Sequence, residues 1–374
     1  MSQLSFAVPT LFGLEGLAAQ ELKRLGLREV RGETGRVVCR GEPEDIPRMN
    51  LNLRTGERVL LELGRFPAKD FDSLFRGVSA LPWEDYIPRT GRFPVKGHAL
   101  SSQLHAVPAC QAIVKKAAAT RLGRVYGLSS LPETGELYQI QFSILKDEAA
   151  LYLDTTGPGL YKRGYRAQGV EAPLRETLAA ALVELSRYRG KGAFRDPFCG
   201  SGTIVIEAAL AAKNRAPGLN RRFSAEKWPV LEKSAWERAI REAKDKEYRG
   251  QYDILGSDID PQAVALAQHN ARLAGVEDVT RFEVGDAARF APGGETGRIV
   301  TNPPYGERLL EVREAHRLYR EFGRAYGALP RGWELYLLSG CDGFEDAFGR
   351  RADKRRKLYN GMLRCELYQY LSAK

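Results

Sequence analysis

Asp196-Pro-Phe-Cys-Gly-Ser-Gly-Thr203 is the stretch that decides the fold. A short strand is expected just before it, from Gly192 to Asp196, and a helix just after, from Gly202 to Lys213. Gly200 and Gly202 therefore sit where strand gives way to helix. Glycine permits positive φ and lets a ligand lie against bare backbone, and the helix start offers free N–H groups. A glycine turn alone is equally what an ordinary strand-to-helix connection needs. The surrounding chain adds the context. Helices are expected over Leu174–Arg187, Pro261–Ala274 and Val312–Ala328, and strands over Tyr252–Asp258, Thr280–Val284, Arg298–Thr301 and Trp333–Ser339. This alternation predicts a doubly wound α/β sheet with ligands at the carboxyl ends of its strands. Cys365 to Leu371 reads as a last strand, in a hairpin at the sheet edge.

The next two strand ends carry acids. Gly256-Ser-Asp-Ile-Asp260 ends one strand, and Asp258 there can accept both ribose hydroxyl hydrogens of a nucleoside. Asp260, followed by Pro261, reads as a helix N-cap. Gly285-Asp286-Ala287 ends the next strand, where Asp286 can accept an adenine amino group or merely form a turn. The candidate cofactor contacts are Asp196, Pro197, Phe198, Gly200, Gly202, Thr203, Asp258, Ile259, Asp286, Ala287 and Asn302. Asp258 lies 58 residues after Gly200, against roughly 20 in a plain dinucleotide fold. An insertion, about Asn214 to Gly250, fills the difference; with Trp228, Trp236 and many charges, it is either RNA-facing or a packed helical excursion.

Thr301-Asn-Pro-Pro-Tyr-Gly306 is the more specific loop. The exocyclic amine of a nucleic-acid base is a poor nucleophile, because its lone pair is delocalised into the ring. The Asn302 side-chain oxygen and the Pro303 carbonyl can accept hydrogen bonds from that amine, most tightly as positive charge develops on it. Pro303 and Pro304 stiffen the loop, and Tyr305 can stack on a base turned out of its helix. Asn302, Pro303, Pro304 and Tyr305 are the catalytic candidates. The two loops together predict an S-adenosylmethionine-dependent N-methyltransferase. Cys341 follows a strand, where some pyrimidine C5-methylating enzymes carry a nucleophile; beside Asn302-Pro-Pro-Tyr305 it reads as a small polarizable residue. Cys199 is read the same way.

The 374 residues, 43% of them hydrophobic, suffice for two or three domains. The five cysteines are scattered, without a Cys-x-x-Cys pair, and the four histidines stand apart, so neither disulfides nor a metal site is expected. No apolar run reaches membrane-spanning length, and Met1-Ser-Gln-Leu-Ser-Phe6 lacks a signal-peptide pattern. A cytoplasmic location is expected. The net charge of +10 and pI near 9.3 point to a polyanionic partner. Lys115, Lys116 and Arg121, then Arg221 and Arg222, then Lys354, Arg355, Arg356 and Lys357 are the candidate RNA contacts. At the start, Leu4 to Val8, Gly35 to Cys39 and Arg58 to Leu63 read as strands. A helix bearing Leu14, Leu17, Ala18, Leu22 and Leu25, and a second over Glu42 to Asn52, separate them. This suggests a ferredoxin-like unit. A new pattern starts at Phe93-Pro-Val-Lys96, followed by a helix from about Pro108 to Arg124 and a hairpin turning at Lys146-Asp-Glu148.

Several segments resemble those of bacterial THUMP-domain RNA guanine-N2 methyltransferases that act on large-subunit rRNA. Phe12-Gly-Leu-Glu-Gly-Leu-Ala-Ala-Gln-Glu-Leu-Lys-Arg-Leu-Gly26 is similar to the opening helix of that family. Lys115-Lys116-Ala117, Leu153-Asp-Thr-Thr-Gly157 and Leu160-Tyr-Lys-Arg-Gly-Tyr-Arg166 resemble its THUMP segment and linker. Ala172-Pro-Leu-Arg-Glu-Thr-Leu-Ala179 resembles the helix before its glycine loop, Ala216-Pro-Gly-Leu-Asn220 with Trp228 its insertion, and Lys357-Leu-Tyr-Asn-Gly-Met-Leu-Arg-Cys365 its closing segment. The resemblance implies a ferredoxin-like domain over 1–65, an RNA-binding THUMP domain over 66–156, a linker over 157–172 and a Rossmann-like methyltransferase domain over 173–374. It implies conversion of a 23S rRNA guanine to N2-methylguanine, without the second catalytic half of fused members. The alternatives are a tRNA guanine-N2 enzyme, an N6-adenine DNA methyltransferase, and a non-catalytic ribosome-assembly factor.

Overall fold

The computed structural model describes residues 3–166, 174–305 and 309–372. The end of the expected linker, with Ala172, and Gly306 of the second loop lie outside the described residues. Contacts divide the chain into two compact units.

The first unit comprises Met1–Thr10, Ala19–Leu160 and Arg222–Glu242. Its run of elements is β1 (Leu4–Pro9), α1 (Glu15–Arg24), β2 (Arg28–Glu33), β3 (Arg36–Gly41), α2 (Asp45–Asn52), β4 (Leu60–Pro67), α3 (Phe71–Ala80), β5 (Val95–Leu100), α4 (Val107–Tyr126), β6 (Ile140–Leu145) and β7 (Glu148–Asp154). The ferredoxin-like and THUMP segments share one seven-stranded sheet, ordered β2-β3-β1-β4-β7-β6-β5, joined by the antiparallel β4–β7 pair. Lys146 and Asp147 both take positive φ in the β6–β7 turn, the conformation that matches the twist of a tight hairpin. The β2 and α3 elements escaped the sequence reading. The β2 strand is charged and almost wholly exposed, so it shows no alternation. The α3 helix is set by an Asp70–Ser73 capping box that went unread.

The second unit comprises Leu11–Ala18, Tyr161–Arg221 and Ala243–Lys374. It opens with α5 (Glu176–Leu185), β8 (Ala193–Asp196) and α6 (Thr203–Ala212). The insertion follows with α7 (Lys233–Asp245), and its Arg222–Glu242 part belongs to the first unit. There Trp228 stacks on Tyr138 and donates to the Leu137 carbonyl, while Trp236 stacks on Phe223. The insertion is thus a packed excursion whose tryptophans are buried. The chain returns through β9 (Ile254–Asp258), α8 (Pro261–Ala274), β10 (Arg281–Val284), β11 (Thr296–Thr301), α9 (Leu309–Gly327), β12 (Gly332–Ser339), α10 (Phe344–Phe348), β13 (Lys354–Asn360) and β14 (Leu363–Tyr370). The sheet runs β10-β9-β8-β11-β12-β14-β13, parallel as far as β12 and antiparallel beyond.

The second unit is therefore the doubly wound sheet with an edge hairpin that the alternation predicted. Successive β11 residues point to opposite faces. Val300 joins the core cluster containing Leu178, Leu182 and Val205, and Ile299 the one containing Tyr319 and Phe322. Leu14 and Leu17 complete the first cluster, so the stretch before the middle of α1 folds with this unit. The segment expected as a linker also carries core side chains: Arg163 and Tyr165 are each 2% exposed. No helix among the described residues is long and apolar enough to cross a membrane.

Candidate active site

The strand order reverses between β8 and β11, the place where open α/β sheets hold ligands. Both signature loops leave the sheet there. Thr301 Oγ1 donates to Asp196 Oδ1 at 2.6 Å, tying the end of β11 to the end of β8. A loop pair about a hundred residues apart in sequence is thus joined by one buried hydrogen bond. Burial pushes the Asp196 carboxyl up to about 7, and the nearby Asp258 charge adds to the rise. Thr301 and the Phe198 N–H oppose it.

The glycine loop is held from below. Cys199 N donates to the Ser257 carbonyl at 2.9 Å, and Asn270 Nδ2 to the Ser201 carbonyl at 2.9 Å. Gly202, at φ +82°, has Ala267 Cβ within 2.9 Å of where its own Cβ would stand, so a side chain there would collide. Gly200, at φ +50°, has nothing within 4 Å of that position. The loop thus presents bare backbone to open space. Asp258 accepts from Gly200 N at 2.9 Å and from Asp260 N at 3.0 Å, one donor on each oxygen. Each oxygen keeps a lone pair for a ribose hydroxyl. Ile259, 70% exposed at the same strand end, offers an apolar surface suited to a purine ring. Asp286 is exposed and caps the following turn through Ala288 N at 2.9 Å. These features fit an adenosyl cofactor. Pro197 and Ala287 are buried, and the Phe198 ring packs edge-on against Phe322.

In the second loop Asn302 is half-buried, Pro303 buried and Pro304 exposed. Tyr319 on α9 donates to the Pro304 carbonyl at 2.6 Å and lies 3.2 Å from Ser339 Oγ. This clamp was missed in the sequence, where Tyr319 is one aromatic among several on a helix face. The Tyr305 ring is turned inward against both core clusters. Its hydroxyl donates to Asn302 Oδ1, and burial, with Cys365 nearby, drives its pKa well above the ordinary value. The ring expected to offer a stacking face is therefore tucked in. Burial, with Asp342 nearby, raises the Cys341 thiol, which keeps it protonated at neutral pH and unsuited to nucleophilic attack.

A buried polar cluster flanks the first turn of α6. Arg166 Nη2 donates to Thr203 Oγ1 at 3.0 Å and to the Leu174 carbonyl at 2.9 Å, and Nη1 lies 3.6 Å from Glu176 Oε1. Burial pushes Glu176 up to about 7 against the pull of Arg166. Tyr165 donates to Glu207 Oε1 at 3.1 Å. Thr203 is a cofactor candidate from the sequence; its pairing with Arg166, and that of Arg166 with Glu176, join separate elements and are not legible there.

The basic candidates divide. Lys115 is committed internally, paired with Glu133 at 2.6 Å and seated 3.4 Å over the Phe93 ring. Arg121 is forked onto Glu84 at 3.0 and 3.1 Å. Arg221 donates to the Lys162 carbonyl, Arg355 pairs with Glu345, and Arg356 donates to the Gly13 carbonyl at 2.6 Å. The cationic heads of these five already have protein partners. Lys116, Lys354 and Lys357 are exposed, and Arg222 is 90% exposed and pairs with Glu226 four residues on.

Comparisons with known proteins agree with this architecture. Residues 163–369 match the RMKL-like methyltransferase domain, 5–60 the RlmL ferredoxin-like domain and 68–154 the THUMP domain. A Bacillus subtilis protein named as an RNA methyltransferase, YpsC, is 42% identical over 100% of this chain and 97% of its own length. Ribosomal RNA large subunit methyltransferase K/L of Syntrophotalea carbinolica is 36% identical over 96% of this chain and 52% of its own length. The chain thus spans about half the length of such K/L relatives. The crystal structure of SMU.472, described as a methyltransferase complexed with SAH, superposes with a TM-score of 0.94 at 41% identity, covering 100% of this chain and 99% of that one. The chain belongs to the RMKL-like family of S-adenosylmethionine-dependent methyltransferases with ferredoxin-like and THUMP domains.

Proposed function

We propose that the protein methylates the exocyclic N2 amine of a guanine in large-subunit rRNA. The observation that carries this reading is the Thr301–Asp196 bond, which sets an amine-accepting loop beside a cofactor loop. S-adenosylmethionine supplies an electrophilic methyl group when bound. The glycine loop backbone, Asp258 and Asp286 hold the nucleoside part, and Asn302 Oδ1 with the Pro303 carbonyl receive the two amine hydrogens. Their pull turns the nitrogen lone pair out of the ring plane, and it strengthens as positive charge appears on nitrogen. A strong general base is unnecessary, since the amine proton can leave after methyl transfer. The Tyr319 clamp on Pro304 keeps the acceptors fixed. An RNA substrate is supported by the THUMP match and by relatives named as RNA methyltransferases. Ribosomal RNA is supported by the K/L relatives and by the Lys357–Cys365 segment.

The test incubates purified enzyme and labelled cofactor separately with unmodified rRNA, tRNA and DNA, then digests each and identifies the labelled nucleoside. N2-methylguanine from rRNA is expected. Label in tRNA guanine or in DNA adenine would overturn the assignment at the level of substrate.

A further inference from the structure

The β13–β14 hairpin reaches the catalytic loop and then continues past it. Tyr305 of that loop packs against the core cluster that holds Leu358 of β13 and Cys365 of β14, and Asn360 ends β13 two residues beyond Leu358. The turn that follows carries Gly361 at φ +64° and Met362, which is 99% exposed. Met362 lies two residues beyond Asn360, at most about 7.6 Å away between Cα atoms. On the strand side, Tyr359 meets Phe12 edge-to-face with centroids 6.0 Å apart, and Phe12 is itself 55% exposed. The Arg356 bond to the Gly13 carbonyl fixes the Phe12 stretch along this strand. Lys357 sits 5.3 Å from the Tyr359 ring, and it and Lys354 are exposed.

A wholly solvated methionine contributes nothing to the fold, and neither does the outward part of Phe12. Phe12 lies on Tyr359 and Met362 follows that residue by three, so both present apolar surface at the same end of the hairpin, near the loop that must receive a base, with Lys357 beside Tyr359. We propose that Met362 and Phe12 are a helix-opening wedge: they enter the gap left in a base-paired RNA when the target guanine turns out, while Lys357 holds an adjoining phosphate. Apolar side chains inserted between base steps are a recurrent means of holding a nucleic acid unstacked. A flipped base leaves such a gap, and stabilising it favours the extruded state. The charge beside this apolar surface matches a phosphate backbone, which names RNA as its occupant. The proposal rests on the RNA-guanine reading above.

The test compares two synthetic RNAs carrying the rRNA sequence around the modified guanine: a hairpin with that guanine paired, and a single strand. Single-turnover methylation is measured for wild type, Met362→Ala, Phe12→Ala, the double variant and Met362→Leu. The ratio of paired to single-strand rate should fall by about tenfold in the double variant, less in each single one, and stay near wild type in Met362→Leu. 2-Aminopurine at the target position gives a second readout without methyl transfer, and its fluorescence on binding the hairpin should fall in the same variants. An unchanged ratio would overturn the wedge, and so would a wild-type enzyme that modifies the single strand and ignores the hairpin. A wild type inactive on both RNAs would overturn the guanine reading itself, and the wedge with it.

Discussion

The Tyr305 hydroxyl donates to the Asn302 carboxamide oxygen, the atom assigned to receive the substrate amine. The site is therefore held closed by its own aromatic residue. Turning Tyr305 outward would release the acceptor and offer the ring for stacking in one movement. Tyr305→Phe removes the closing bond and keeps the ring, so its single-turnover rate should equal or exceed that of wild type. Tyr305→Ala should lose about 10–100-fold through lost base stacking, worth ~1–3 kcal/mol, with cofactor affinity unchanged. A Phe variant as impaired as the Ala variant would contradict this account.

Asp258, the proposed ribose acceptor, is tied to the glycine loop by accepting from Gly200 N. Asp258→Ala should weaken cofactor binding by at least about 10-fold, since hydrogen bonds to a charged group contribute ~1.5–3 kcal/mol each. Isothermal titration with S-adenosylhomocysteine measures this directly, and unaltered affinity would remove Asp258 from the site.

Glu176 gives a pH signature. Its carboxyl rises from an ordinary 4.5 to about 7 in the folded chain, mainly through burial. Between those values the folded chain keeps a proton that the unfolded chain has released, so this contribution is complete below the lower value and is lost as pH rises through about 7. Glu176→Gln carries no such charge. Relative to wild type, its stability should improve by ~1–3 kcal/mol between about pH 5 and about pH 8. Denaturant midpoints of the full chain at both pH values test this, and a constant difference would contradict the burial argument.

The basic residues should separate by assay. Lys354→Ala with Lys357→Ala should make the slope of log affinity against log salt shallower by about 1.4–1.8, at ~0.7–0.9 per lost phosphate contact. Arg121→Ala should leave that slope alone and lower thermal stability, because Glu84 loses its partner. A salt slope altered by Arg121→Ala would return that residue to the RNA surface.

The contrast shows where sequence reading succeeds. The α8 helix is punctuated in the sequence itself: Asp260 caps it, Pro261 starts it, and Gly275 ends it in the left-handed conformation. Asp196, Asn302 and the strands beneath them are equally legible, since motif and alternation are local. The partners of Lys115 and Arg121 are not legible, because a cation in a sequence carries no mark of its partner, and Glu133 and Glu84 lie 18 and 37 residues away. The same limit hid Tyr319 and the Arg166–Glu176 pair. It also hid the exchange of segments, in which Leu11–Ala18 folds with the second unit and Arg222–Glu242 with the first.

The most direct measurement is nucleoside mass spectrometry of 23S rRNA from a strain lacking the gene, complemented with either the wild-type or the Asn302→Ala protein. The account predicts that one N2-methylguanine disappears on deletion and returns with wild type. With Asn302→Ala it should remain largely absent, because losing a transition-state hydrogen bond of this kind slows transfer by about 10²–10³. N2-methylguanine that persists without the gene, or that Asn302→Ala restores as fully as wild type, would contradict it.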